Sequence, residues 1–291
     1  LLLLLLLLPG PVQPDSVQLL PDNAAANRRV TLELQLNSTE WGVVEVLAFE
    51  QDGAPSIRFL RSGLSIVGAE FIADEFQGQS AFRNFGILQT VGYFRPSGRA
   101  ASASPLRVLQ LGLGAGIVPS HLRSEPGFGG VLVDVVEINP NIVEAAVRHF
   151  GYERRASAGL GTTFVEDALS FLRRGPPPDA PRYDVVIHDL FTGGQRLPLR
   201  TLERSVLQQI KDRWLAEDGL LVVDFFGYQR AGGETPSEMA GATGADLEPS
   251  GPHASGRRHK RGYAHAVAVQ ATLESVFTSA QSSSAASSPP Q

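Results

Sequence analysis

Three glycines and one glutamate in the middle of the chain have the types and spacing that hold a nucleotide-type ligand. Gly112, Gly114 and Gly116 follow a short apolar run, and Glu137 ends the next one, 21 residues (137 minus 116) after Gly116. A glycine turn at a strand's carboxyl end lets the backbone approach a ligand, and the next helix presents its N-terminus there. An acid at the second strand's tip can accept hydrogen bonds from a ribose diol. The spacing differs from a dinucleotide-binding turn, whose third glycine would stand at Ile117.

Two aspartates follow later apolar runs and are the next candidates for chemistry. Asp167 follows the third run and Asp189 follows the fourth. Asp167 is placed equally well to contact a base in the same crevice and to cap the helix that follows, so both roles stay open. Asp189 lies at the edge where the reacting end of the ligand is expected, although it could instead cap its loop. The neighbouring His188 should point to the other side of the sheet, and we interpret it as structural.

These residues need a parallel sheet to bring them together, and the order of apolar runs predicts one. Strand, turn and helix patterns alternate along the chain, which is typical of an α/β, Rossmann-like, doubly wound and mainly parallel sheet. Asn139, Pro140 and Gly151 delimit the helix after the second strand. No strand pattern follows the fifth run, so we expect the last strands of such a sheet to be lacking. The predicted strands are Arg107–Leu111, Val131–Val136, Thr162–Val165, Tyr183–His188 and Leu220–Phe225.

The remaining sequence predicts a small second domain and several segments without regular structure. Residues 30–70 contain β-prone runs separated by turn residues, which indicates a small N-terminal β domain. We expect residues 1–29 to be a disordered leader or linker, and residues 71–278 to form the main domain. Within that domain, residues 227–262 read as a flexible insertion, and residues 279–291 as a disordered tail.

The first eight residues are all leucine, and they are too short to cross a bilayer, which takes about 20 residues. They fit the end of a membrane helix or signal sequence whose upstream part is missing from this chain, and they fit a low-complexity leader equally well. We expect a cytoplasmic protein, with membrane association through a missing N-terminal segment as the alternative.

Composition excludes several classes of function. The formal net charge of -5 argues against nucleic acid as a partner, because no broad positive field is present. The absence of cysteine excludes disulfides, thiolate catalysis and thiolate metal sites. We predict no metal site.

Four segments in this order resemble the spermidine synthase-like branch of the class I S-adenosylmethionine-dependent transferases. They read RVLQLGLGAG, VVEINP, VEDALSFL and YDVVIHDLFTGG, and the likeness extends over residues 57–225. Members of that family have a small N-terminal β domain and an active-site wall with the pattern D-E-F-x-x-Q. That pattern is matched here by Asp74, Glu75, Phe76 and Gln79.

The resemblance implies transfer of an aminopropyl group from decarboxylated S-adenosylmethionine to a polyamine-type amine. Asp189 would be the catalytic residue that takes the proton of the amine or orients it, because alkylamines are protonated at neutral pH. A homodimer is compatible with this reading. The residues implied in binding the co-substrate are Gln79, Gly112, Gly114, Gly116, Glu137 and Asp167.

Several positions differ from that family's pattern and keep two other functions open. Ala115 stands where the family has an aspartate for the aminopropyl amine, and Gly78 and Ser80 replace a tyrosine and a glutamate beside Gln79. No second acid follows Asp189 closely. The first alternative is a methyltransferase using S-adenosylmethionine, which needs neither missing acid. The second is a nucleoside-binding or structural homologue without catalysis.

Overall fold

The computed structural model describes residues 2–7, 28–72, 76, 78–94, 105–153, 161–191, 198–225 and 269–277. The chain divides into two compact units, of which the first comprises Leu1–Leu4 and Asp22–Asp224 and holds every site residue discussed below. The second unit comprises Leu5–Pro21 and Phe225–Gln291, and its described part includes a helix over residues 269–277. The predicted insertion and the predicted tail lie outside the described residues.

Four antiparallel strands form the N-terminal sheet, in the order β2-β3-β4-β5. This confirms the predicted antiparallel sheet, although its last strand has no counterpart in the prediction. Arg58 connects the sheet to the main domain, since its Nε donates to Glu33 (2.6 Å) and its Nη1 donates to the carbonyl oxygen of His149 (2.9 Å). The strands are β2 (Arg28–Ser38), β3 (Gly42–Gln51), β4 (Ile57–Ser62) and β5 (Ser65–Phe71).

The main sheet has the order β1-β10-β9-β6-β7-β8, and its strands β6 to β10 pair in parallel. This confirms the predicted Rossmann-like, mainly parallel sheet. The chain moves outwards from β6 to β7 and β8, then returns to the other side of β6 with β9 and β10. The strands are β1 (Leu2–Leu7), β6 (Leu106–Leu111), β7 (Val131–Glu137), β8 (Thr163–Val165), β9 (Tyr183–His188) and β10 (Leu215–Phe225).

Two strand boundaries differ from the sequence-based expectation. Leu2–Leu7 forms β1 at the edge of the sheet beside β10, whereas we expected residues 1–29 to lack structure. The fifth parallel strand begins at Leu215 instead of Leu220, because its pairing with β9 continues across an irregularity between these two residues.

Five α-helices lie in the described part of the first unit. Asn139 caps α3 through its side-chain oxygen, which accepts the N–H of Asn141 as expected. Helix α1 is short and is followed by a 3-10 turn, and it begins after Ser80, which still pairs with Glu70 of β5. No helix among the described residues is long and apolar enough to cross a membrane. The helices are α1 (Arg83–Gln89), α2 (Ile117–Ser124), α3 (Pro140–His149), α4 (Ala168–Arg174) and α5 (Arg204–Gln209).

The strand order reverses at β6, and in open α/β sheets ligands bind at the carboxyl ends of the strands at such a reversal. Here β6 lies between β7 and β9. The residues that follow these three strands are therefore the first place to look for a site.

Candidate functional site

The glycine turn after β6 packs against its own chain on several sides. Gly112 and Gly114 both have positive φ, at 92° and 56°. A Cβ at Gly112 would overlap the carbonyl oxygen of Asp189, and a Cβ at Gly114 would overlap that of Val67 in β5. Gly116 is the N-cap of α2 and also has a positive φ. Both the turn geometry and the close approach of backbone thus require glycine here, independently of any ligand.

Strand β5 closes one side of this turn. Ala115 is 2% exposed, and a Cβ added to Gly68 of β5 would overlap it. The methyl group of Ala115 therefore packs against β5, and the turn carries no carboxyl at this position.

Glu137 is buried at the tip of β7 and is bonded directly to the glycine turn. Its Oε2 accepts the N–H of Leu113 (3.0 Å), and its Oε1 accepts the N–H of Asn139 (2.9 Å). Burial raises the pKa of Glu137, and these backbone donors counteract that rise. The backbone N–H groups of Ile138 and Gly114 also act on this carboxylate. The structure thus brings Glu137 and the three glycines together as the sequence predicted.

The two other residues predicted to bind the co-substrate, Asp167 and Gln79, have contacts of other kinds. Asp167 caps α4, since its Oδ1 accepts the N–H (2.8 Å) and the hydroxyl (3.0 Å) of Ser170. The capping role is therefore present, and its contact with a base stays a prediction. Gln79 is exposed and bonds through its main chain to Phe71 and Phe76, so its co-substrate role also stays a prediction. Asp74 and Glu75 of the same wall pattern lie outside the described residues.

Asp189 meets a second carboxyl that the sequence reasoning missed. Val223 of β10 lies opposite His188 of β9, so Asp189 and Asp224, the next residues on these strands, stand side by side. Asp224 is fully buried, and its Oδ2 accepts the Nδ2–H of Asn84 in α1 (2.8 Å). A signal was present, since Asp224 is an acid near the carboxyl end of the fifth apolar run, as Asp189 is an acid that follows the fourth.

The electrostatics of Asp189 follow from this pairing. Burial, the charge of Asp224 and the charge of Glu137, in that order, raise the pKa of Asp189 well above its ordinary value. Two carboxylates this close cannot both be ionised without a large cost, so the pair tends to hold a proton. Among the described residues, no group of three or more His, Asp or Glu is arranged to hold a metal ion, and these three acids are no exception.

His188 faces away from this pair and has a structural contact. It is fully buried, and its Nε2 lies 2.7 Å from the Oγ1 of Thr201. The single hydroxyl proton of Thr201 is donated to the carbonyl oxygen of Pro198, so the Nε2–H of His188 is the donor to Thr201. Burial lowers the pKa of His188 to about 4, which keeps the ring neutral.

Comparison with known proteins identifies transferases among the relatives. No family model matches the chain. An N-terminal histidine N-methyltransferase of Emericella nidulans is 25% identical over 71% of this chain and 36% of its own length. A polyamine aminopropyltransferase of Vibrio vulnificus is 29% identical over 45% of this chain and 41% of its own. A human eEF1A lysine and N-terminal methyltransferase is 28% identical over 41% of this chain and 17% of its own.

The relatives and the strand order agree on one architecture. The fold is that of the class I S-adenosylmethionine-dependent methyltransferases. The narrower assignment to the spermidine synthase-like branch is not established, because that relative is one among methyltransferases. The chain spans about a third of the length of the first relative and about two fifths of that of the second. At the carboxyl ends of the parallel strands, the groups around Glu137 are suited to bind a nucleoside, and the carboxyl of Asp189 is suited to accept or donate a proton.

Proposed function

We propose that the chain is a methyltransferase that transfers the methyl group of S-adenosylmethionine to an amine. The observation that carries this proposal is Ala115, which is buried beside Gly68 of β5 and has a methyl group where an aminopropyltransferase uses an acid. The nucleoside side of the site, in contrast, has its glycine turn and its acid Glu137 bonded together. The site is therefore suited to the nucleoside, and it lacks the group that would hold an aminopropyl chain.

In this proposal the ribose diol binds to Glu137, and the sulfonium lies towards Asp189. The arrangement follows from the sheet, because β7 and β9 flank β6 on opposite sides. A sulfonium is a fixed positive charge, and nearby carboxyl groups stabilise it electrostatically. The acceptor amine would then approach the methyl carbon from the side opposite to sulfur.

The chemistry is a single displacement preceded by loss of a proton. The ammonium form of the acceptor gives its proton to the carboxylate of Asp189, and the free amine attacks the methyl carbon. The carbon–nitrogen bond forms as the carbon–sulfur bond breaks, and its electron pair stays on sulfur as a thioether. A carboxyl with a raised pKa holds such a proton better than an ordinary one. Placement of the two reactants supplies much of the remaining acceleration.

The proposed class of acceptor rests on the names of the relatives. Two of them are named as methyltransferases of protein amines, one acting on an N-terminal histidine and one on lysine and the N-terminus of eEF1A. We therefore propose a protein or peptide amine. Aminopropyl transfer remains the second candidate, and it is supported by the similarity to a polyamine aminopropyltransferase.

The nucleoside by-product distinguishes these functions. The chain is incubated with S-adenosylmethionine or its decarboxylated form, against lysine peptides, peptides with a free N-terminal histidine, and putrescine. We expect S-adenosylhomocysteine and a methylated peptide in mass spectra. Methylthioadenosine with spermidine would instead establish aminopropyl transfer, and nucleoside binding without any product would indicate a homologue without catalysis. Glu144→Gln, which alters a surface ion pair with Arg148, is the control for activity.

A further inference from the structure

The pairing of Asp189 with Asp224 assigns a role to a residue that is not part of the proposed chemistry so far. We propose that Asp189 and Asp224 share one proton in the empty site and release it when a sulfonium co-substrate binds, so that Asp224 positions and prepares the proton acceptor. This inference rests on the proposed function, because it needs a sulfonium ligand.

The pairing of β9 with β10 places Asp189 and Asp224 next to each other. Strands β9 and β10 are parallel and paired up to His188 and Val223, and neighbouring strands lie about 4.8 Å apart. Asp189 is also tied to β6, since its N–H donates to the carbonyl oxygen of Leu111 (2.9 Å). The backbone positions of both acids are therefore fixed at the sheet edge.

Asn84 determines which of the two acids is the fixed one. Its amide donates to Oδ2 of Asp224 (2.8 Å), and Asp224 has no exposed surface, whereas Asp189 is half-buried. A hydrogen bond from an amide stabilises the charged form of the carboxyl that receives it. The shared proton is therefore carried by Asp189, and Asp224 is the charge that keeps it there.

The charged groups that act on Asp189 among the described residues are Asp224 and Glu137, and both are acids. His188 is neutral and lies on the other face. A sulfonium cation beside Asp189 would be the first positive charge at this point. Before binding, Asp189 and Asp224 together hold one proton. When the sulfonium binds, both carboxyls become ionised, and the proton passes to the buffer. Asp189 is then a free carboxylate that can accept the proton of the amine.

Calorimetry can separate this charge effect from binding itself. S-adenosylmethionine and S-adenosylhomocysteine share the nucleoside and differ by the methyl group and its charge, so contacts at Glu137 cancel between them. Titration in buffers of different ionisation enthalpy gives the protons released per ligand bound. We expect about one proton more for the sulfonium than for the thioether near neutral pH, and a difference close to zero in Asp224→Asn.

Each outcome decides something. If both ligands bind and release the same number of protons, the shared proton is wrong and the proposed function stands. If neither ligand binds, both proposals are wrong. Circular dichroism checks that Asp224→Asn is folded, and Glu144→Gln should keep the proton difference of the parent chain.

A second readout tests Asp224 as a positioning residue and not merely as part of the fold. Removing the like charge of Asp224 lowers the pKa of Asp189, so the acidic limb of the kcat profile of Asp224→Asn should move to lower pH by about one unit or more. A variant that loses activity equally at every pH would overturn the assignment. Infrared difference spectra between the two ligands should also show loss of a protonated carboxyl band in the parent chain only.

Discussion

One carboxyl lies at the tip of β7 and another directly after β9, and the fold treats the two in opposite ways. Glu137 accepts hydrogen bonds from the backbone N–H groups of Leu113 and Asn139. Asp189 instead lies beside another carboxyl, that of Asp224. Burial raises the pKa of both acids, but at Glu137 donors oppose the rise and at Asp189 a like charge adds to it. One edge of a sheet thus holds a fixed hydrogen-bond acceptor and a proton-exchanging group side by side.

This difference divides the work of the proposed reaction. A carboxylate that is held by backbone N–H donors keeps its place whether or not a ligand is present. A carboxyl that faces another carboxyl responds to each added charge, which suits a group that must take up a proton during turnover. The same residue type therefore serves binding at one strand tip and proton transfer at the other.

Asp189→Asn should have the largest effect, because it removes the proton acceptor and keeps the shape. We expect kcat to fall by about 10²- to 10⁴-fold, the range for loss of a general base, while binding of S-adenosylhomocysteine changes little. Single-turnover kinetics and calorimetry measure the two quantities. Unchanged turnover would mean that Asp189 is not the acceptor, and Glu144→Gln serves as the matched acidic control.

Glu137→Gln should show the reverse pattern. The amide that replaces one carboxylate oxygen cannot accept the N–H donated by the turn, and the charge that attracts the diol is lost. We expect binding of both nucleosides to weaken by about 10- to 100-fold, which corresponds to one or two lost charge-assisted hydrogen bonds. Equal losses for the sulfonium and the thioether are expected in calorimetry. A loss confined to the sulfonium would transfer the proton role to Glu137 and break the comparison.

The smallest expected effect comes from His188, which acts on the stability of the fold and not on the proposed reaction. Its folded pKa is about 4 against an ordinary value of 6.5, so the unfolded chain takes up a proton first as the pH falls below 6.5. Stability is thus lost between pH 6.5 and pH 4, by about 2 kcal/mol on going from pH 7 to pH 5.

The raised pKa values of Glu137 and Asp189 act in the other direction, so a variant is needed to isolate the histidine. In His188→Gln the free energy of unfolding from urea titrations should depend less on pH over this interval. Identical pH dependence in the parent chain and the variant would show that His188 is not kept neutral by the fold.

The sequence predicts local features well and contacts between distant segments poorly. The five parallel strands, the glycine turn and Glu137 follow from patterns within a few residues of each other. Asp224 was missed because its partner is 35 residues (224 minus 189) away, and only the register of β9 and β10 brings them together. The closure of Ala115 by Gly68 was missed for the same reason, since it depends on β5, which the alternation of its residues did not reveal. Asp167 had two possible roles in the sequence, of which the structure shows the cap, and its contact with a base stays a prediction.

A crystal structure of the chain with S-adenosylhomocysteine tests the central assignment most directly. We expect the ribose hydroxyls to bind the carboxylate of Glu137 and the sulfur to lie on the side of Asp189 and Asp224. A ribose bound away from Glu137, or a sulfur pointing towards Asp167 and β8, would contradict it.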